Sequence, residues 1–349
     1  DAPVDLTKEY IKYRVPDGVT SYRPNPGDLG PAVWGSDWKY ADEHDLAQGW
    51  ALTPRVAWRA PNPYRLLDFT SKYINVVDGQ RRSWTPPSCS CRRVTVWMYG
   101  GSTTYGLDQR DDHTIASELA RLAYGDGVAV DISNRGELGQ LHWMEAERFA
   151  WDLTIEPAPD MVIFYDGVND SWATNTLNDR KSGDTPPMVD PAAEDLWNSS
   201  KRSDPPMPDG PEGSTFIGRP HGAILEVRAL ARTTVARYDR SRAVSRTAAT
   251  RHGILARYVW QPSRFDRPLV LDEPHDDAET ENRSRLSSQL MRGFLPPDVI
   301  DVSESLATTD GLLYSDDVHH NERGARLVAA AIYSHLRDDL HRLASRPGR

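Results

Sequence analysis

From Val94 onwards the chain alternates short apolar, β-branched runs with stretches of helical period, and that alternation restricts the fold more than any other feature of it. The runs occupy residues 94–98, 128–132, 161–165, 257–260 and 299–302. Between them Ile115, Leu119 and Leu122, then Ile224, Val227, Ala231 and Val235, recur at the spacing of one helix face. After the last run, Leu327, Ala331, Ile332, Leu336, Leu340 and Leu343 do the same. Runs this short suit strands, whereas the longer periodic stretches suit helices. Strands that alternate with helices are joined by crossovers and lie parallel, which predicts an α/β fold: a three-layer α/β/α sandwich with about five parallel strands. Such a sheet presents ligands to the carboxyl ends of its strands.

Residues 1–92 have another texture. They are rich in Pro, Trp, Tyr and Asp, carry turn signals such as Pro24-Asn25-Pro26-Gly27 and Ala60-Pro61-Asn62-Pro63, and lack a sustained helical period. They are read as an irregular N-terminal extension packed on a catalytic domain at 93–349. Within that domain, residues from about 175 to 220 break the alternation with Pro, Asp, Ser and Lys, and predict a long surface excursion beside the third strand end: a lid or substrate-binding insert on one reading, a disordered loop on the other. Of the 11 Trp, Trp34, Trp38, Trp50 and Trp58 lie in the extension, where their rings can stack on sugars or serve as buried anchors. Residues 228–251 are rich in Arg and read as the solvent face of an amphipathic helix.

With 41 Lys plus Arg against 51 Asp plus Glu, the net charge of −10 argues against nucleic acid as a partner. No run of about 18 apolar residues is present, so no membrane span is expected in this chain. The sequence starts at Asp1 without an initiator Met or a signal peptide, which points to a processed, extracytoplasmic protein, secreted or associated with the cell envelope. Cys89 and Cys91, one residue apart, are open to two readings, a tightly closed disulfide or two free thiols.

Four short motifs stand at the predicted strand ends: Gly100-Gly101-Ser102-Thr103-Thr104, Asn134-Arg135-Gly136, Gly167-Val168-Asn169-Asp170 and Asp316-Asp317-Val318-His319. A serine hydroxyl is a weak nucleophile unless a base lies within hydrogen-bond reach and a turn exposes its oxygen. Ser102, after a strand and two glycines, meets the second need. His319 is the candidate base, with Asp316 three residues earlier to orient its ring. Asp317 and His320 offer a competing pair one step along. Attack on an ester carbonyl places charge on its oxygen, so donors are needed there. The candidates are the backbone N–H of Ser102, the backbone N–H of Gly136 and the side-chain amide of Asn169. Arg110, Asp111 and Asp112, soon after the serine, read as solvated loop charges, with pocket lining as the other option.

In their order and spacing these blocks resemble the SGNH/GDSL hydrolase family. Ser102 matches the serine of the first block, Gly136 the glycine of the second, Gly167-Val168-Asn169-Asp170 the third and Asp316-Asp317-Val318-His319 the last, over roughly residues 93–345. The resemblance implies a flavodoxin-like sandwich, a Ser-His-Asp triad, no metal and no cofactor. It also implies an acyl ester substrate, since the family's members include esterases, lipases, thioesterases, carbohydrate deacetylases and O-acyltransferases. The first block departs from the commoner Gly-Asp-Ser. Gly-Gly-Ser-Thr resembles a bacterial subgroup associated with envelope or extracellular polysaccharide, which makes an acylated saccharide the expected partner. An O-acyltransferase and a non-catalytic carbohydrate-binding protein are the competing expectations.

Overall fold

A computed structural model describes residues 10–22, 56–59, 62–66, 68–71, 73–107, 109–179 and 224–346. Strands β1 (Val56–Arg59) and β2 (Asn62–Leu66) pair antiparallel. β3 (Phe69–Thr70), β4 (Asn75–Val77) and β5 (Gln80–Arg81) form an antiparallel meander. The α/β alternation starts with β6 (Val94–Gly100), α1 (Ser102–Tyr105), α2 (Ile115–Gly125), β7 (Val130–Gly136) and α3 (His142–Ile155). It continues through β8 (Met161–Asp166), α4 (Val168–Asp179), α5 (Ile224–Arg251) and β9 (Leu255–Trp260). α6 (Ala278–Phe294), β10 (Val299–Asp301) and α7 (Glu322–Ala344) complete it.

The eight-stranded sheet runs β10-β9-β8-β6-β7-β5-β4-β3. Its first five strands are parallel, and they are the five expected from the apolar runs. Numbered by their own sequence, they stand in the order 2-1-3-4-5 of a flavodoxin-like sheet. The connection reverses direction between β6 and β8, and there the ends of two strands part to leave a crevice. The motifs that carry Ser102 and Asn169 leave those two strands.

Alternation along each strand divides the core. Val94, Val96 and Met98 of β6 and Met161, Ile163 and Tyr165 of β8 face α2 and α7. Trp97, Tyr99, Val162 and Phe164 face α3, α5 and α6. Every residue of β8 is buried, as expected of a central parallel strand covered on both sides. Of the Arg-rich stretch, Arg228, Arg232, Arg237, Arg240, Arg246 and Arg251 are exposed along α5, whereas Arg242 is buried and paired with Asp239 and Asp298.

Within the described part of the N-terminal segment, residues 10–22 and 82–93 hold no named strand or helix, whereas 56–81 contribute five short strands. β3, β4 and β5 extend the sheet on the β7 side, through Arg81 opposite Asn134. Their two- and three-residue lengths leave no apolar alternation to detect, and the pairing is tertiary. Trp34, Trp38 and Trp50, and the excursion from residue 180 onwards, lie outside the described residues, as does the side chain of Trp58. Cys89 and Cys91 form a disulfide.

Arg81 joins this added edge to the serine turn. Its side chain, wholly buried, donates from Nε to Asp111 Oδ1 at 2.8 Å and from Nη2 to the Gln109 carbonyl at 2.6 Å. Its guanidinium lies 4.7 Å over the Tyr105 ring, at the end of α1. Asp111 also accepts from the Asn75 backbone N–H at 3.0 Å and from its Nδ2 at 2.6 Å. Asp111 is therefore a buried anchor, and the reading of it as a solvated loop charge is corrected. Arg81→Met leaves that carboxylate buried without its cation. The expected loss is about 3–5 kcal/mol of folding stability, measured by urea unfolding against wild type.

Candidate active site

Ser102 is the first residue of α1, directly beyond the carboxyl end of β6. The carbonyl of Gly101 closes the turn by accepting from the N–H groups of Thr104 at 3.1 Å and Tyr105 at 3.0 Å. The Ser102 N–H, at the open end of this turn, donates to nothing among the described residues. Asn134 steadies the turn from β7, donating from Nδ2 to the Thr104 carbonyl at 2.8 Å.

His319 reaches Ser102 from the loop before α7, whose N-cap is Asn321. His319 Nε2 lies 2.7 Å from Ser102 Oγ, and Nδ1 lies 2.6 Å from Asp316 Oδ2. Asp316 Oδ1 accepts from the backbone N–H of His319 at 2.7 Å and of Val318 at 2.8 Å, so the carboxylate is held by its own loop. Burial pushes the Asp316 carboxyl up, but the His319 ring and these N–H donors outweigh it and hold the group below the usual carboxylate range. An ionised Asp316 accepts the Nδ1 proton and leaves the Nε2 lone pair facing the serine hydroxyl.

The competing pair is committed elsewhere. Asp317 Oδ1 accepts from Arg264 Nη2 at 2.7 Å, and Arg264 also meets Glu281 at 2.6 Å. His320 is buried; its Nδ1 lies 3.2 Å from Gln109 Nε2, which also donates to the His320 carbonyl at 2.8 Å. Gln109 thus ties the serine loop to the histidine loop, while Arg110 makes a second tie by pairing with Glu322 at 2.5 Å. Neither Gln109 nor Arg264 carries a sequence signal, because each acts on groups more than 50 residues away.

The three predicted oxyanion donors do not all face the site. Asn169, at the start of α4, sits against the serine turn: a β-carbon on Gly101 would lie 2.3 Å from its Nδ2. That amide donates one hydrogen to the Gln140 carbonyl at 2.8 Å and keeps a second. Gly136, by contrast, donates its N–H to Asn134 Oδ1 at 3.0 Å. It is a glycine because a β-carbon there would come within 2.2 Å of the Tyr105 backbone nitrogen. Gly136 lets β7 and α1 touch, and its assignment as an oxyanion donor is corrected. Three residues on, Gly139 turns the chain at φ +71° next to Gln140, and its N–H donates to nothing among the described residues. The sequence signal for Gly139 is a second glycine before the next helix, three residues after Gly136.

Beside the site, Gly167, Val168, Trp260, Gln261, Phe265 and Met291 line a part-open cavity. Gln261 Oε1 accepts from Thr103 Oγ1 at 3.3 Å, which connects that wall to the residue after the serine.

A second Ser-His-Asp constellation exists in the described residues. His142 Nδ1 lies 2.7 Å from Asp166 Oδ2, and its Nε2 lies 3.2 Å from Ser245 Oγ. All three are buried, and Ser245 sits in the middle of α5 with its hydroxyl on the Arg242 carbonyl at 3.1 Å. The backbone N–H groups around Ser245 belong to the interior of a helix, so this serine lacks the strand-end turn on which Ser102 stands.

No protein-family model matches the chain, and no curated protein matches it. Solved structures similar to it include a lipase/acylhydrolase from Enterococcus faecalis, 16% identical, with 70% of this chain and 96% of that one covered and a TM-score of 0.36. A family 3 carbohydrate esterase from Clostridium thermocellum is 15% identical over 73% of this chain and 100% of that one, with a TM-score of 0.36. A member of the lipolytic protein G-D-S-L family from Veillonella parvula is 15% identical over 69% and 97%, with a TM-score of 0.34.

Burial lowers the pKa of His320 from 6.5 to about 4. Between those values the unfolded chain binds a proton that the folded one refuses, so stability is complete above pH 6.5 and falls as the pH drops towards 4. At about 1.4 kcal/mol per pH unit the loss is about 3 kcal/mol. Urea unfolding at stepped pH should show this slope in wild type and a flatter one in His320→Gln, which does not titrate.

Proposed function

We propose that this chain is a serine ester hydrolase of the SGNH/GDSL type, acting on short acyl esters through an acyl-serine intermediate, with O-acetyl groups of carbohydrate as its native substrate class. The observation that carries the reading is the unbroken line Asp316–His319–Ser102, with hydrogen-bond distances of 2.6 and 2.7 Å. A binding protein that never transfers an acyl group has no need of that line ending on a hydroxyl with an unpaired N–H beside it.

Ser102 Oγ attacks the ester carbonyl while its proton passes to His319 Nε2, and the ionised Asp316 stabilises the imidazolium that results. The carbonyl oxygen becomes an anion. The Ser102 N–H, the second hydrogen of the Asn169 amide and the Gly139 N–H receive it, all three set before the reaction and needing no reorganisation. His319 returns the proton to the departing alkoxide, which leaves as the alcohol and an acyl-Ser102. Water then adds to the acyl carbon, giving its proton to His319, and the acid departs as Ser102 recovers its hydrogen. Every group required is a side chain or a backbone N–H.

The carbohydrate assignment is supported by the Gly-Gly-Ser-Thr first block and its resemblance to a subgroup associated with polysaccharide. An extracytoplasmic location is part of the same proposal, and the Cys89–Cys91 disulfide suits an oxidising compartment.

The test is hydrolysis of p-nitrophenyl esters of increasing acyl length and of an O-acetylated polysaccharide. Mass spectrometry follows an adduct on Ser102. Turnover of acetyl over long-chain esters is expected, with kcat lower by on the order of 10⁶-fold in Ser102→Ala. Asp316→Asn should lower kcat by about 10⁴-fold. Folded wild-type protein with neither turnover nor a fluorophosphonate adduct would sink the enzyme reading. Acyl transfer to an added sugar that outruns hydrolysis would replace the hydrolase with an acyltransferase.

Removing one oxyanion donor in Asn169→Ala should cost about 10²–10³-fold in kcat with KM little changed, read from the same assay. A kcat within threefold of wild type would exclude Asn169 from the oxyanion site.

A further inference from the structure

We propose that His142, Glu145 and Asp166 form a buried site for one divalent cation of the zinc or manganese kind, set behind the oxyanion loop and separate from acyl transfer. The inference does not depend on the proposed esterase activity.

The cluster comes from two elements. His142 and Glu145 stand three residues apart on the first turn of α3, so both project from one helix face. Asp166 ends β8 and meets them there. The ligand atoms of the three, one imidazole nitrogen and two carboxylate oxygens, all lie within 4.8 Å of one another. At bonds of about 2.1 Å, two ligands of a tetrahedral zinc ion lie about 3.4 Å apart, so the widest pair closes by up to about 1.4 Å when the set coordinates one ion.

One observation beyond the spacing calls for a cation. Glu145 is 2% exposed, and neither of its carboxylate oxygens receives a hydrogen bond from an N–H or hydroxyl donor among the described residues; the side chain it meets is Asp166, itself an acid. A buried carboxyl is expensive to leave unpaired. The ion pairs of Arg148 go elsewhere, to Glu137 at 2.5 Å and Asp152 at 3.6 Å. His142 Nδ1 faces an Asp166 oxygen at 2.7 Å, and its Nε2 lies 3.2 Å from Ser245 Oγ, which also meets the Arg242 carbonyl at 3.1 Å and the Tyr258 hydroxyl at 3.0 Å. Either a proton or a metal ion can bridge Nδ1 and Asp166.

A divalent cation satisfies all three side chains at once, whereas a proton joins only two of them. One imidazole with two carboxylates is a donor set suited to zinc or manganese. Ser245 takes the outer position common to metal-bound histidines, beside the far ring nitrogen. The ion would tie α3 to the end of β8, one residue before Gly167 and three before Asn169.

The full chain, purified without chelator, is assayed by inductively coupled plasma mass spectrometry. It is then stripped with dipicolinate and titrated with Zn²⁺ and Mn²⁺ in two buffers of different ionisation enthalpy. About one ion per chain is expected, with proton release and a higher melting temperature on loading. Glu145→Gln and His142→Gln should each weaken binding by at least about tenfold. Because a variant can fail to fold, wild type loaded with Co²⁺ is measured alone, and a visible ligand-field band is expected. The proposal is overturned if stripped wild type binds neither ion at micromolar concentration, if Co²⁺ gives no such band, or if both variants fold and bind as tightly as wild type.

Discussion

β8 is buried along its whole length, and its neighbour β6 has its two faces in two different cores. A pair of parallel strands enclosed in this way can meet solvent only where the strands end, and the chain leaves them in opposite directions at the β6–β8 boundary. The crevice follows from that reversal. Ser102 leaves one strand and Asn169 the other, and a β-carbon on Gly101 would touch the Asn169 amide at 2.3 Å, which shows how closely the two exits approach. The arrangement of the site is therefore a property of the sheet before it is a property of any catalytic side chain.

Holding the base against the nucleophile requires further ties, because Ser102 and His319 are 217 residues apart in sequence. The loop after α1 supplies them. Gln109 grips the backbone and ring of His320, and Arg110 pairs with Glu322 at the start of α7. Arg81 then grips the same loop from the far side, through Asp111 and the Gln109 carbonyl. A segment that contributes nothing to the chemistry in this way sets the distance on which the chemistry depends. Buried charged contacts of this kind are costly to break from one side, which is why the edge strands belong to the same cooperative unit as the site.

The molecule also separates geometry from reactivity. Ser102–His319–Asp316 and Ser245–His142–Asp166 have similar hydrogen bonds, yet only the first stands at a strand exit with unpaired N–H groups beside it. The second lies between α3, α5 and β8 with each of its members buried and the buried carboxyl of Glu145 beside it. A hydroxyl, an imidazole and a carboxylate in line are an element that buried cores can use structurally as well as chemically.

By itself the sequence determined the five parallel strands, the layers around them, the candidates Ser102 and Asn169, and a His-Asp pair drawn from Asp316, Asp317, His319 and His320. These are local facts: β-branched runs of strand length, helical spacing, and small or polar residues at fixed offsets from a strand end. Only the tertiary structure decided the choice of Asp316 and His319 over Asp317 and His320, since that choice turns on where Arg264 and Gln109 come to lie. The same holds for Gly136, whose glycine is required by the backbone of Tyr105 in α1 and not by a substrate. It holds again for β3 to β5, too short to show a period and made strands by pairing with β7, and for the buried meeting of His142, Glu145 and Asp166. Periodicity reports which way a residue faces. What it faces is set by residues far away in the chain, and only folding brings them there.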